Sequence, residues 1–245
     1  MVAVAVAAAV AVVTVAPAFG APGDTVDASA LLGPDAAPTF AAERVTVRAA
    51  SELGEDTQAL ALDGWYDVND RFRLGLTMSS AARYELGAIR GLCVHGCAER
   101  FGGLAAEAQI RAGDHLIGRA AVDTTRFAPT AAAIELGLAA HYTFDRWDLV
   151  VAPVLRLGIA RRDLANGDSL AGFARVAARL WSQGGVLAET RGAVDVDALR
   201  ATPTLGAAGG VYLHLGTTTV TATFGSSDVA RSRSWFGELA LGWSS

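Results

Sequence analysis

The stretch "DGWYDVNDRFRLGL" at 63–76 alternates in polarity on both sides of Asn69-Asp70, and no other feature restricts the chain as much. Before the turn, Leu60, Leu62, Gly64, Tyr66 and Val68 share one parity, and Asp63, Trp65 and Asp67 share the other. After it, Phe72, Leu74, Leu76 and Met78 alternate with Arg71, Arg73, Gly75 and Thr77. Successive side chains of a strand point to opposite faces, so each half has one apolar and one polar face. Asn and Asp tolerate the positive φ of tight hairpin turns, so a two-residue turn at Asn69-Asp70 is expected.

The pattern returns along the chain. Further hairpins are expected to turn at Gly113-Asp114, Asp145-Arg146, Gln183-Gly184 and Gly216-Thr217. "RVTVRA" from residue 44 supplies a strand before them and "SWFGELALGW" one after. The count is about twelve strands, with ten as the lower alternative. An even number puts both chain ends on one side of a closed sheet. Connections within hairpins are tight. Most of those between them are longer and polar: "SELGED", residues 83–100, "RRDLANGD", "DVDALRA" and "SSDVARSR", with the short "FAPT" at 127–130 as the exception.

A soluble β-sandwich also alternates, burying its apolar face. Three features favour the opposite arrangement. The strands run to about ten residues or more, the length a tilted bilayer-crossing strand needs. Short turns alternate with long loops around the whole domain. Aromatics sit near strand ends on the apolar parity: Tyr66, Phe72, Phe144, Trp147 and Trp243 by the turns, Phe224 and Trp235 by the loops. Amphipathic rings favour the membrane interface. In lipid every backbone donor and acceptor must be paired, so the sheet must close. The fold class expected for 44–245 is therefore all-β, a closed up-and-down antiparallel transmembrane barrel. Leu74, Ile134 and Leu149 are expected to face lipid, and inward small positions such as Gly75 and Ala139 to accept a larger side chain at lower cost.

Composition agrees with export and excludes some partners. The chain of 245 residues is 52% hydrophobic and carries a net charge of −5; its mean hydropathy is +0.33. It contains no lysine, so its 20 basic residues are all arginine, a usage that a GC-rich genome produces. The negative balance argues against a nucleic-acid partner. Residues 1–21 form an apolar run ending in small residues around Ala18-Phe19-Gly20-Ala21. The run fits a secretory signal, although a positively charged start is missing; an uncleaved anchor is the alternative. Residues 22–43, rich in Pro, Ala, Asp and Gly, are expected to be a flexible lead segment.

Cys93 and Cys97 lie together in "GLCVHGCAE". In an exported chain the pair most simply closes a small-loop disulfide. A zinc reading would recruit His95 and Glu99 but lacks an evident fourth ligand, so no metal site is assigned. No cofactor is expected either: there is no phosphate loop or dinucleotide fingerprint, and "GAAGG" at 206–210 lacks the helix that would follow.

In its strand pattern over 44–245 the chain resembles Gram-negative outer-membrane β-barrel proteins. The last strand, Trp235 to Trp243, is similar to their terminal assembly signal, an alternating strand ending in an aromatic, here Trp followed by Ser244 and Ser245. The resemblance implies the outer membrane as location, with membrane lipid and the barrel assembly machinery as partners. It leaves the oligomeric state open.

By parity the polar faces converge inside such a barrel. The inward acids are Asp63, Asp67, Glu107, Asp123, Glu135, Asp148, Glu189 and Glu238. The inward bases are Arg71, Arg73, Arg111, Arg119, Arg156, Arg175, Arg179 and Arg191, and His141 and His214 join them. Mixed charges in a confined lumen either line a narrow wet passage or pair into a plug. A porin-like passive channel for small polar solutes is the sharper expectation, and a plugged structural barrel the alternative. Arg175 and Arg179 could grip an anion by guanidinium forks, or pair with Glu189 on the neighbouring strand. A barrel lipid hydrolase would need a hydroxyl beside an imidazole on the lipid face. His141 and His214 lie on the inward parity and neither neighbours a serine, so no catalytic residue is assigned.

Overall fold

The computed structural model describes residues 40–54, 57–83, 99–127, 130–160, 168–195, 204–226, 229 and 235–245. The expected signal peptide, most of the lead segment, and Cys93 and Cys97 lie outside the described residues. The first six strands are β1 (Val45–Gly54), β2 (Thr57–Asp67), β3 (Phe72–Arg83), β4 (Glu99–Ala112), β5 (Leu116–Phe127) and β6 (Thr130–Phe144). The rest are β7 (Trp147–Ala160), β8 (Ser169–Trp181), β9 (Gly184–Asp195), β10 (Thr204–Leu215), β11 (Thr218–Ser226) and β12 (Trp235–Ser244). Each strand pairs with its sequence neighbours, and β1 pairs antiparallel with β12 from Thr46↔Ser244 to Gly54↔Phe236, so the barrel closes. Closure leaves no edge strand, which satisfies the backbone along every element.

The two serines after the final aromatic take part in the seam. Ser244 N–H donates to Thr217 O at 3.0 Å, Ser245 N–H donates to Val45 O at 3.0 Å, and Val45 N–H donates to Ser245 Oγ at 3.0 Å.

The five hairpins lie where the alternation places them, with differences in detail. The fourth turn is Ser182-Gln183, one residue earlier than expected, because Gly184 already pairs in β9. Asn69 and Asp70 do not take positive φ; among non-glycine described residues only Glu43 and Asp145 do. The first turn instead spans Val68–Arg71, and Asn69 Oδ1 accepts from both Arg71 N–H and Phe72 N–H at 2.8 Å. The side chain thus supplies the turn that a left-handed backbone would otherwise have made. "SELGED" is not a loop throughout, because β1 runs on to Gly54 and pairs Leu53 with Gln58. At Asp145-Arg146 and Gly216-Thr217 the left-handed residue is Asp145 (φ 54°) and Gly216 (φ 65°), as tight two-residue turns require.

The faces are sorted as parity predicts. On β3, Leu74, Leu76 and Met78 are exposed while Arg73 between them and the turn is 2% exposed. Exposed Leu136, Leu138, Leu155, Leu239 and Leu241 continue the outer apolar belt, and Tyr66, Phe144, Trp147, Trp181 and Trp243 rim it at the turn end. At the loop end Phe224 stacks on Trp235 with ring centroids 6.2 Å apart. Pro153 points outward in β7, and the β6–β7 ladder passes from Gly137↔Val154 to Ala140↔Val151 without a pair at this residue, which has no N–H to offer.

Candidate functional site

The inside of the barrel holds the charges. Register aligns them in layers, since cross-strand neighbours lie on the same face. Glu107 on β4 is the acceptor of one cluster: Trp65 Nε1, Gln109 Nε2 and Arg119 Nε all donate to it. Arg119 also donates through Nη1 to Glu135 on β6 at 2.6 Å. Arg156 lies across from Glu135 in the β6–β7 ladder, with its Nε 3.9 Å from Asp123 Oδ2. Desolvating these ions is costly, and each is held by a partner of opposite sign.

A second cluster crosses the bore. Arg191 on β9 donates from Nη2 to Glu189 at 2.7 Å and to Glu238 on β12 at 2.8 Å, and from Nη1 to Glu52 on β1 at 3.3 Å. Glu52 and Glu238 are direct cross-strand neighbours, and this shared guanidinium offsets their repulsion. Arg175 donates to Glu189 at 3.0 Å, and Arg48 links Glu238 at 3.0 Å to Asp63 at 3.2 Å. Arg175 thus pairs with Glu189, one half of the expected alternative, while Arg179 is exposed at the turn end.

Apolar residues also line the inside, which the counting of charges passed over. Ile117, Ala139, Val150, Ala152, Val154 and Phe173 form a buried inner cluster with Phe40. They share the parity of Arg119, His141, Arg156 and Arg175, so the signal was present in the alternation. Arg48 and Trp65 were legible in the same way, whereas Glu52 falls in the expected "SELGED" connection and Phe40 precedes β1, where no periodicity marks it.

One of the expected lining arginines sits outside the strands, and Arg111, on β4 opposite inward Ile117, is drawn to the rim of the bore. Arg71 is exposed in the first turn, outside β3, where strand parity has no meaning. Arg111 folds onto the second turn, donating from Nε to Gly113 O at 3.0 Å and lying 3.5 Å from exposed Asp114. Gly75 does not offer spare room. A Cβ there would come within 2.6 Å of Trp65 Cδ1 and 2.7 Å of Glu107 Cγ, so the glycine is the floor on which that pair packs. Ala139 is likewise enclosed, at 1% exposure.

The histidines have hydroxyl neighbours that the sequence order hides. His141 Nε2 lies 3.4 Å from Thr143 Oγ1 and 3.5 Å from Asp148 Oδ1, while Thr143 Oγ1 donates to Asp148 at 2.8 Å. One ring nitrogen faces both groups, so the imidazole cannot pass a proton from one side to the other as a triad requires. His214 Nδ1 lies 3.0 Å from Thr219 Oγ1. Both constellations sit on the inward parity near the turn end. No cluster of three or more metal-ligating side chains occurs among the described residues.

No protein-family model matches the chain, and no curated protein matches it in sequence. Solved structures do match in fold. The KdgM porin in complex with disordered oligogalacturonate superposes with TM-score 0.57 at 7% identity, over 81% of this chain and 98% of that one. LpxR from Salmonella typhimurium gives 0.54 at 8% identity, over 81% and 99%. The NanC porin gives 0.51 at 12% identity, over 82% and 98%. The chain shares with these proteins the fold of the outer-membrane β-barrels, a closed antiparallel barrel of twelve strands in its own case.

Proposed function

We propose that this protein works in the outer membrane of a Gram-negative cell as a porin-like barrel whose bore admits small polar solutes. The observation that carries the membrane part is the inversion of polarity: leucines and aromatics outside, and arginines paired with carboxylates inside. Such a surface is stable against lipid tails and unstable against water. The passage part is supported by the loop-end half of the bore, where Arg191 and Glu52 side chains keep 27% and 33% exposure. The porin likenesses agree with this reading in fold.

The opposing reading, a plugged structural barrel, is favoured by the depth of packing elsewhere. Arg156 and Phe173 are each 2% exposed and Val154 is fully enclosed. Conductance of the purified protein in a planar bilayer separates the two. Discrete ohmic steps at neutral pH are the expected result, and a silent bilayer holding correctly folded protein would favour the plug.

A further inference from the structure

The inner apolar cluster lies among charged inward residues, Arg119, Arg156 and Arg175 on its own strands. Six of its members are strand residues, from β5 to β8, and the seventh, Phe40, comes from outside the sheet. The Phe40 ring also lies under the guanidinium of Arg73 on β3, 4.3 Å from Cζ to centroid. A single side chain therefore touches walls from β3 to the β5–β8 side of the bore. Without it, an apolar hollow would open onto a charged lumen.

The segment carrying Phe40 is held at one residue, Asp67, by its carboxylate and its backbone. Asp67 Oδ2 accepts from Ala41 N–H at 2.9 Å and from Arg44 Nε at 3.0 Å. Its other oxygen accepts from Arg73 Nε, and its backbone O accepts from Glu43 N–H at 2.8 Å. Arg44 N–H donates to Ala41 O at 3.1 Å, closing a tight turn in which Glu43 has φ 64°. A left-handed glutamate persists only where its surroundings hold it. Residues 40–44 belong to no strand, although Arg44 O accepts from Asp67 N–H at 2.9 Å, so Phe40 can swing away about the tether to β2 without breaking a strand pair.

We propose that Phe40–Arg44 is a stopper that closes the turn end of the bore, clamped by Asp67 and released when that clamp is broken. The proposal rests on the bore being a passage, but its seating is testable apart from conduction. In a background with Cys93→Ser and Cys97→Ser, Val150→Cys reports access to the hollow by its rate of labelling with a small water-soluble maleimide. With Phe40 in place labelling is slow. Phe40→Ala should raise the rate at least tenfold, Asp67→Asn by a smaller factor, and Phe40→Leu should restore slow labelling. Equal rates in the Phe40→Ala and parent proteins, both folded by their heat-dependent gel mobility, would overturn the stopper. Conductance of the same variants separates the two readings. Faster labelling with larger current steps supports both, and faster labelling with silent bilayers keeps the stopper but overturns the passage.

Discussion

Arg191 Nη2 reaches Glu238 Oε2 at 2.8 Å although β10 and β11 lie between their strands, so the pair spans the bore as a strut. Its removal changes both width and charge. In Arg191→Ala the guanidinium shared by Glu52, Glu189 and Glu238 is gone, and carboxylates dominate the loop-end half. Larger conductance and a reversal potential shifted toward cation preference are expected in a salt gradient. Unchanged selectivity would show that ions do not pass this point.

Gly75 and Trp65 set a second expectation. A methyl group at 75 collides with the indole and with Glu107, both of which are buried. Gly75→Ala should therefore destabilise the barrel by about 1–3 kcal/mol in guanidinium unfolding from lipid vesicles. A change near zero would mean that the Trp65–Glu107 contact yields freely.

These positions mark how far the sequence could be read. The facing of Leu74, Glu107 or Arg175 follows from period two alone, because a sheet with one apolar and one charged face leaves no freedom in register. Closure needs the further step that lipid leaves no backbone group unpaired. What failed was inference from chain order about side-chain reach. Nothing in the linear spacing brings Arg191 to Glu52, or Phe40 beneath Arg73 and into the inner apolar cluster, since those contacts form inside the lumen. Parity also loses meaning at turns, which is why it does not place Arg71, one residue before β3. Asn69 shows the same limit: the residue type marks a turn, but either its backbone or its side chain can make it.

Arg119 joins Glu107 and Glu135 across three adjacent strands. Arg119→Leu leaves two carboxylates buried near one another without their shared cation. A loss of about 3–5 kcal/mol is expected from the unfolding midpoint. The triple variant with Glu107→Gln and Glu135→Gln as well should recover part of it, because no uncompensated charge then remains. Failure to recover would assign the loss to packing and not to charge.

Export makes two further predictions on segments outside the described residues. N-terminal sequencing of the protein from outer membranes should begin near residue 21 or 22. Mass spectrometry of non-reduced peptides should show Cys93 bonded to Cys97. Free thiols in exported protein would restore the zinc reading of "CVHGC".

Replacement of Leu74, Ile134 or Leu149 by Arg should cost about 2–4 kcal/mol if the site lies near the middle of the bilayer. Stability alone does not identify lipid, since a soluble sandwich would also suffer from arginine on its apolar face. The direct measurement is accessibility of single cysteines at 74, 134 and 149 in membranes, in the Cys93→Ser, Cys97→Ser background. They should react slowly with a water-soluble maleimide, and a fluorophore attached there should be quenched by lipid-borne quenchers. Labelling as fast as at an exposed turn residue such as Asp114, with no quenching from lipid, would contradict the membrane barrel.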